Sequence, residues 1–395
     1  MHSNKNDKRY FLYVFLLSHV LTIKFLFPQE ITVGAFYYPW WRPNFFIHTV
    51  AKPALWTYWE KERIIDFRRS PVEIEKLILI FHKYNTSIPQ VAKVHIEQAK
   101  KGGIDLFALE WTGPYPTTVP GATFTEFDIE KGFLPALEEF PSFKFCIFYD
   151  QTIRMFWKHW LQENEACNFD NPKVRETFIN DILYIARKYF SHPNYFKINE
   201  KPVLWLYLTR LYRGDYKGAL EEIKNKLNGN IYFIADELFS TIEIDEEKIK
   251  IFNAVGCYGT GMDGLSYKDG ANSKEVIDIA LPFYEKWRNI IEKSKNAEGE
   301  QIKFIYPIEP QFDDDHLLGR PFYGEFYCDS PEDFEYVCRK IKSIIPLTGG
   351  IVFVTSFNEW YETTAVEECY TPSMQFRYNW GDKFLLILKK VFKEE

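Results

Sequence analysis

The sequence predicts a single (β/α)8 TIM barrel, an α/β fold in which parallel strands alternate with helices. Eight short apolar runs that indicate strands alternate with helical patterns, and one last helical pattern follows the eighth run. Strands that alternate with helices form parallel sheets, and eight such units suggest a closed barrel. A barrel of this length is routinely one domain. We therefore expect one barrel domain, 31–395, after a separate segment, 1–30.

Each strand is predicted from an apolar run bounded by turn residues, the pattern of a strand buried on both faces. The predicted strands are 31–38, 104–110, 143–149, 202–208, 231–236, 250–258, 302–308 and 350–357. The predicted helices are 89–101, 129–140, 172–190, 216–227, 273–294, 331–344 and a closing helix, 382–393. Only the connection 237–248 makes a poor helix, because it is short.

The connection after the first strand, 39–88, is unusually long. Loops of this length inside compact domains are usually functional or disordered. This loop is too aromatic for disorder. Its aromatic side chains include Trp40, Trp41, Trp56, Tyr58 and Trp59. We expect it to fold over the mouth of the barrel.

The composition argues against some classes of partner and site. The 395 residues carry a net charge of −7 and a pI near 5.8, which argues against a polyanion such as nucleic acid. The six cysteines include no CxxC pair, so a zinc site is not expected. Aromatic residues make up 18% of the chain. Most belong to the core, but Trp and Tyr at strand ends suit the faces of sugar rings.

The N-terminal segment carries a targeting pattern. Lys5, Lys8 and Arg9 precede a mostly apolar stretch, 10–27, which is the pattern of a signal peptide or an uncleaved signal anchor. The absence of a small-x-small cleavage site before the first strand favours an anchor. A buried amphipathic helix packed on the domain is the alternative. We expect a secreted or membrane-anchored protein with its barrel outside the cytoplasm.

The eighth apolar run, 350–357, leads directly into 358–362, with the sequence Asn-Glu-Trp-Tyr-Glu. In barrels of parallel strands the functional groups lie just past the C-terminal strand ends. Two carboxyl groups three residues apart, with a Trp between them, suit acid/base chemistry on a sugar. The sequence therefore predicts Glu359 and Glu362 as the catalytic pair.

The other strand ends carry acids and aromatic residues that would converge at the same mouth. They are Tyr37, Tyr38, Trp40, Glu110, Trp111, Asp150, Tyr207, Arg210, Asp236, Glu237, Tyr258, Glu309, Gln311 and Asn358. Acids accept hydrogen bonds from hydroxyl groups and rings stack on C–H faces, so this population predicts a neutral, polyhydroxylated ligand. For any one of them, a structural ion pair or packing at the rim is an equal alternative.

Two other motifs compete with this interpretation. Residues 259–264 match GxGxxG after a strand, but 265–272 indicate a loop where a dinucleotide site requires a helix. The acidic run 313–315, followed by His316, could bind a divalent cation. We interpret both as loops, the second one solvated. The sequence has no HExxH and no Gly-x-Ser-x-Gly motif, which leaves metallohydrolase and serine hydrolase readings without support.

Two segments resemble glycoside hydrolase family 99. Residues 33–41, Val-Gly-Ala-Phe-Tyr-Tyr-Pro-Trp-Trp, resemble the family's first strand. Residues 358–367, Asn-Glu-Trp-Tyr-Glu-Thr-Thr-Ala-Val-Glu, resemble its acid-bearing segment, Glu-Trp-His-Glu-Gly-Thr followed by an apolar residue and Glu. Residues 98–111 and 192–207 are compatible with two middle units, so the resemblance extends over most of 31–368.

The resemblance implies a (β/α)8 barrel with the activity of a retaining endo-α-1,2-mannosidase, which cuts inside the mannose chains of N-glycans or yeast mannan. It implies no metal and no cofactor in the chemistry. By position, Glu359 would deprotonate the sugar 2-hydroxyl, which attacks to give a 1,2-anhydro sugar, and Glu362 would protonate the leaving glycosidic oxygen. The expected substrate-binding residues are Tyr37, Tyr38, Trp40, Trp59, Trp111, Tyr207, Tyr258, Glu309 and Asn358.

The chain departs from the family pattern at two positions. Tyr361 stands where the family has His, and Thr363 stands where it has Gly. Proteins described as glycosyltransferases of polysaccharide biosynthesis share a Glu-Trp-x-Glu segment of this kind. Two alternatives therefore stay open: a glycosyltransferase-like enzyme of surface polysaccharide biosynthesis, dependent on metal and nucleotide, and a catalytically inactive carbohydrate-binding barrel.

Overall fold

The structure, a computed structural model, describes residues 30–41, 85–114, 125–238, 243–259, 267–313, 324–346, 349–360, 362–368 and 380–395. Eight strands form one parallel sheet in these residues. They are β1 (Thr32–Tyr37), β2 (Leu106–Trp111), β3 (Lys144–Tyr149), β4 (Lys201–Leu206), β5 (Tyr232–Asp236), β6 (Ala254–Gly256), β7 (Lys303–Ile308) and β8 (Ile351–Val354).

The sheet closes into a barrel. Each strand pairs in parallel with its neighbours in chain order, and β8 returns to pair with β1, with Val352 opposite Val33. The predicted (β/α)8 fold is therefore confirmed. The sixth strand is shorter than predicted, because 250–253 form a turn and bends after a short helix instead of extending the strand.

Helices follow the strands around the outside. They are α1 (Pro89–Lys101), α2 (Thr125–Asp128), α3 (Leu134–Leu137), α4 (Gln151–His159), α5 (Glu163–Ala166), α6 (Pro172–Tyr189), α7 (Tyr216–Lys226), α8 (Glu246–Ile249), α9 (Ser273–Ile291), α10 (Pro331–Ile344) and α11 (Lys383–Lys389). The π-helical segments Ile129–Phe133 and Lys390–Glu394, the 3-10 turn Thr209–Leu211 and the two-residue strands Lys197–Ile198, Ala271–Asn272 and Phe326–Tyr327 complete the described elements.

Local sequence sets the starts of the long helices. The side chains of Asn171 and Asn272 accept hydrogen bonds from backbone N–H groups two residues further on and cap α6 and α9. Ser330 and Asp333 form a capping box at the start of α10. Pro occupies the first turn of α1, α6 and α10, where its missing N–H removes no hydrogen bond. These signals explain why the predicted starts agree with the structure.

Aromatic side chains fill the inside of the barrel. The rings of Phe36, Trp205 and Phe353 contact one another, with centroids 4.6 to 5.3 Å apart. Phe148 packs on Phe36 at 4.8 Å. All four side chains are buried. The interior is thus a packed core and not a pore, so functional groups can collect only at its ends.

No helix within the described ranges is long and apolar enough to cross a membrane. The predicted signal or anchor segment, 1–30, lies outside these ranges apart from Glu30. The domain boundary and the location of the protein therefore stay predictions. Trp56, Tyr58 and Trp59 of the first loop also lie outside the described residues.

Gly34→Ala should destabilise the barrel by about 1 to 3 kcal/mol, the usual loss on overpacking a core. A Cβ atom at Gly34 would lie 2.5 Å from Cζ of Phe353, and a close-packed interior leaves that ring little room to move. Urea unfolding measures the loss. Phe353→Leu should create the missing room, so the double variant should show a favourable coupling of at least about 0.5 kcal/mol. Additive losses would contradict this close approach.

Candidate functional site

Polar side chains from every barrel strand collect at the C-terminal ends of the strands. They are Tyr38, Glu110, Asp150, Tyr207, Asp236, Tyr258, Glu309, Glu359 and Glu362. All except Tyr207 are more than nine-tenths buried. Buried acids are costly unless they are paired or functional. This concentration of buried carboxyls marks the end of the barrel as the candidate site.

The two acids predicted as catalytic lie on one short loop, described at 356–360 and 362–367, which we call the acid loop. Its shape comes from hydrogen bonds across its base. The hydroxyl Oγ of Ser356 accepts from the backbone N–H of Glu359 at 2.7 Å and lies 2.8 Å from Oγ1 of Thr364. The N–H of Ser356 donates to the carbonyl of Thr364 at 3.1 Å. The loop thus doubles back and holds the carboxyls of Glu359 and Glu362 over the barrel, 3% and 5% exposed.

Thr363 keeps a turn that glycine would adopt. Its φ is 58°, in the left-handed region that favours glycine, and the resembled segment has glycine at this place. The side chain makes a contact that glycine could not make, because its Oγ1 donates to the carbonyl of Asp313 at 3.0 Å. The N–H of Asp313 donates in turn to the carbonyl of Glu362 at 2.9 Å. The departure at Thr363 therefore preserves the turn after Glu362.

Two tyrosines in series lead to Glu362. The hydroxyl of Tyr38 donates to the hydroxyl of Tyr258 at 2.5 Å, and that of Tyr258 donates to Oε2 of Glu362 at 3.0 Å. Burial, and then nearby acids, raise the pKa of both phenols well above the ordinary value, so both keep their protons. Tyr207 packs against Tyr258, with ring centroids 5.5 Å apart. The structure thus brings these three predicted residues together beside a predicted acid.

Asn358 lies elsewhere than expected for a substrate-binding residue. Its Oδ1 accepts from the N–H of Tyr38 at 2.7 Å, and its Nδ2 donates to the carbonyl of Tyr38 at 3.1 Å. Its own carbonyl accepts from Nε1 of Trp41 at 3.0 Å. The side chain is fully buried. We therefore reassign Asn358 as a positioning residue that fastens the start of the acid loop to the end of β1.

Tyr37 also lies behind the site and not in it. Its hydroxyl is 2.9 Å from Nδ1 of His95 on α1, and Nε2 of His95 lies 3.3 Å from Oε1 of Glu367. The other oxygen of Glu367 accepts from Nε1 of Trp360 at 3.0 Å. Sequence reasoning missed His95, which has no motif around it, and gave Glu367 no role. Together these residues support the acid loop from the helix side.

The prediction that Trp111 binds substrate is also corrected, because this side chain too lies behind the site. It is fully buried, with its ring 5.7 Å from that of Tyr149 and 6.1 Å from that of Tyr184 on α6. Successive side chains of a strand point to opposite faces, and its neighbour Glu110 belongs to the carboxyls of the site. Trp111 therefore packs between the barrel and the helices and is not available for stacking on a sugar.

Trp40 remains at the mouth. Its half-buried ring lies 4.8 Å from the ring of Tyr38, and its indole N–H has no hydrogen-bond partner in the described part of the chain. Glu309 follows β7 and is 1% exposed. Trp59, the remaining residue predicted to bind substrate, lies outside the described residues.

Two further carboxyls belong to the site, although sequence reasoning named them only as strand-end groups. Burial, and then the carboxyls of Asp150, Glu359 and Glu362, raise the pKa of Glu110 well above its ordinary value. Burial raises the pKa of Asp150 to about 6, although Asp150 accepts from the N–H of Ile153 at 2.9 Å and caps α4. The crowding of buried carboxyls in the site therefore favours the protonated forms of Glu110 and Asp150.

The competing motifs lie mostly beyond what the structure describes. No group of three or more His, Cys, Asp or Glu side chains in the described ranges is arranged to hold a metal ion. Asp313 is described, and its Oδ2 accepts from the hydroxyl of Tyr327 at 2.9 Å, whereas 314–316 lie outside. Only Gly259 of the GxGxxG segment is described. The absence of a metal and of a cofactor stays a prediction.

Comparison with known proteins identifies a family and a curated relative. The family described as Glycosyltransferase WbsX matches residues 129–380. The glycoprotein endo-alpha-1,2-mannosidase of Xenopus laevis is 20% identical over 298 residues, which cover 72% of this chain and 56% of that protein. The chain thus spans little more than half the length of this curated relative.

Solved structures share the barrel. A glycoside hydrolase-like protein matches with a TM-score of 0.61 and 18% identity, over 92% of this chain and 94% of its own. The GH99 endo-alpha-mannosidase from Bacteroides thetaiotaomicron matches with a TM-score of 0.61 and 14% identity, over 93% and 98% of the two chains. The resemblance to glycoside hydrolase family 99 is thus confirmed at the level of the fold.

Asp150→Asn should remove a pH dependence of stability between about pH 4 and pH 6. The folded protein raises the pKa of Asp150 from 3.8 to about 6. The folded state therefore binds this proton more tightly than the unfolded state, and the wild type loses stability as pH rises through the window. Asn keeps the helix cap without the charge. The pH-dependent difference should reach about 2 to 3 kcal/mol in urea unfolding at pH 4 and pH 6.5.

The matched control for this variant is Asp245→Asn. Asp245 caps α8 through the N–H groups of Glu247 and Lys248 but is exposed and lies outside the site. The control should keep the wild-type pH profile. An Asp150→Asn profile parallel to that of the wild type would show that burial does not perturb this carboxyl.

Proposed function

The chain belongs to the family described as Glycosyltransferase WbsX, and from that premise we propose that it is an enzyme of glycosidic bonds. Specifically, we propose a retaining, endo-acting glycoside hydrolase that cleaves α-mannosidic bonds in mannan or N-glycan-type oligosaccharides. The proposed linkage is α-1,2. The observation that carries the proposal is the acid loop, which holds Glu359 and Glu362 at the C-terminal mouth of a closed barrel. Acid/base pairs at this end of the barrel are the usual machinery of glycoside cleavage.

The proposed reaction uses the two acids in concert. Glu359 removes the proton of the sugar 2-hydroxyl, and the oxygen attacks the anomeric carbon. Glu362 donates its proton to the glycosidic oxygen as the bond to the leaving sugar breaks, which gives a 1,2-anhydro sugar. Water then opens this intermediate by the reverse proton transfers, with net retention at the anomeric carbon. Both proton balances close within the acid pair.

Tyr258 orients the carboxyl of Glu362, the proposed acid. Its hydroxyl donates to Oε2 of Glu362 at 3.0 Å. Tyr38 donates to Tyr258 and fixes the direction of that bond. Trp40, next to Tyr38 at the mouth, is available for stacking on a sugar ring.

The substrate class rests on the relatives together with the site. The Xenopus laevis relative is named an endo-alpha-1,2-mannosidase and the Bacteroides thetaiotaomicron neighbour an endo-alpha-mannosidase. A net charge of −7 and a site rich in acids suit an uncharged glycan. We propose an oligosaccharide or polysaccharide as partner, and a location outside the cytoplasm through segment 1–30.

A second candidate is a glycosyltransferase, which the description of the family favours. A transferase of this kind would need an activated sugar donor, and the acidic run 313–315 with His316 could then hold its metal. One comparison separates the two. Incubation with α-1,2-, α-1,3- and α-1,6-linked mannose oligosaccharides in a chelator should give internal cleavage of the α-1,2 substrate, detected by mass. Turnover that requires manganese and a nucleotide sugar would favour the transferase.

Glu359→Gln and Glu362→Gln should each reduce cleavage by about 10² to 10⁴-fold, the usual contribution of general acid/base catalysis, without unfolding the barrel. The two variants should differ in whether an activated substrate restores their rate of cleavage. A substrate with an activated aryl leaving group needs no acid, so it should partly restore Glu362→Gln but not Glu359→Gln. Initial rates with both substrates measure this, with circular dichroism as the folding control. Equal rescue of the two variants would mean that the roles are assigned wrongly.

Tyr258→Phe should lower kcat by about 10- to 100-fold, the range for a lost hydrogen bond to a charged or reacting group. KM should change little, because the hydrogen bonds of this hydroxyl in the structure are to Tyr38 and Glu362. Tyr232→Phe is the matched control, since that hydroxyl donates to the carbonyl of Asn253 at 3.2 Å, away from the acids. If both variants lose kcat equally, the bond to Glu362 has no special role.

A further inference from the structure

Glu110 is a buried acid that the proposed reaction does not use. It is 1% exposed, and among the described residues the only polar contact of its carboxyl is with the neighbouring carboxyl of Asp150. Buried side-chain oxygens almost always have a partner, and leaving such a group unpaired destabilises a fold. The carboxyl of Glu110 therefore keeps hydrogen-bonding capacity that a ligand can use.

The strand register places Glu110 in the site. Leu109 lies opposite Tyr37 of β1, so Glu110 stands level with Tyr38, and it lies opposite Phe148 of β3. Phe148 packs inside the barrel against Phe36. The side chain of Glu110 therefore belongs to the inner face, just below the mouth, where side chains of alternate strands share one layer.

The groups that face Glu110 come from three other elements. They are the carboxyl of Asp150 after β3, the carboxyls of Glu359 and Glu362 on the acid loop, and the phenol of Tyr38 after β1. Three of these four groups are themselves acids. Burial, and then these like charges at short range, disfavour the ionised form of Glu110 and raise its pKa well above the ordinary value.

A protonated carboxyl differs from its neighbours in what it can bind. A carboxylate only accepts hydrogen bonds, whereas a carboxylic acid donates through its O–H and accepts through its C=O. A sugar hydroxyl also donates and accepts. The two groups therefore match without any charge being brought into the buried site.

We propose that Glu110 is a third substrate-contacting acid, which binds a hydroxyl group of the sugar held between Glu359 and Glu362 and makes the site specific for that hydroxyl. The inference rests on the proposed function, because it takes the ligand to be a mannose unit. It is separable from the catalytic roles, since it concerns binding and not proton transfer.

Three variants test the proposal with an α-1,2-linked mannose oligosaccharide as the probe, in calorimetric titration at pH 7. Glu110→Gln keeps one donor and one acceptor without charge, so its Kd should stay within about threefold of the wild type. Glu110→Met has a similar length and no hydrogen bond, so its Kd should rise about 10- to 100-fold. Leu109→Met, on the opposite face of β2, should bind like the wild type.

Monodeoxy versions of the oligosaccharide identify the contact. One deoxy sugar should bind the wild type about 10- to 100-fold more weakly than the parent oligosaccharide does. Glu110→Met should bind that deoxy sugar as tightly as it binds the parent oligosaccharide, because the hydrogen bond is already absent from the variant. A purely structural role for Glu110 would weaken every sugar by the same factor. Thermal unfolding of Glu110→Met is the folding control. We expect an unchanged or higher Tm, which would show that weaker binding does not come from a damaged fold.

The possible outcomes separate the two proposals. If the wild type binds the oligosaccharide and Glu110→Met binds it equally well, the role of Glu110 is refuted and the proposed function stands. If Glu110→Gln loses as much as Glu110→Met, a charged carboxylate is required and the proposed neutral contact is refuted. If the wild type does not bind any of the mannose oligosaccharides, both proposals fail together.

Discussion

The site depends on how the barrel is closed at its mouth. The ladder between β8 and β1 ends at Val354. Beyond it, the N–H of Phe357 donates to the carbonyl of Phe36 at 2.8 Å. The side-chain amide of Asn358 then forms hydrogen bonds with both the N–H and the carbonyl of Tyr38. Buried amides matched at donor and acceptor fix geometry strongly. This closure sets where the acid loop starts, and it sets Tyr38 in place for its bond to Tyr258.

The acid loop is then supported from two sides. On the barrel side, Tyr258 donates to Glu362. On the helix side, Glu367 at the end of the loop joins Trp360 to His95. Burial in a site of low dielectric also raises the pKa of the acids Glu110 and Asp150. In the proposal above, Glu110 uses its uncharged form to bind a sugar hydroxyl.

Most of the fold could be predicted from the sequence because its signals are local. Apolar runs, caps and prolines specify strands and helix starts, and the end of β8 marks Glu359 and Glu362. The errors come from side-chain direction. Tyr37 and Trp111 are one residue out of phase with the inner face, and the apolar runs of β1 and β2, buried on both faces, carry no alternation that reveals the phase. His95 enters through packing between distant segments, which no local pattern encodes.

The most direct test of the account is a crystal structure of the Glu362→Gln variant with an α-1,2-linked mannose oligosaccharide. The account predicts a sugar at the mouth of the barrel, with its 2-hydroxyl about 2.6 to 3.2 Å from the carboxylate of Glu359. The glycosidic oxygen should lie at a similar distance from the side chain at position 362. A sugar ordered elsewhere, with no oxygen within hydrogen-bond distance of either position, would contradict the account.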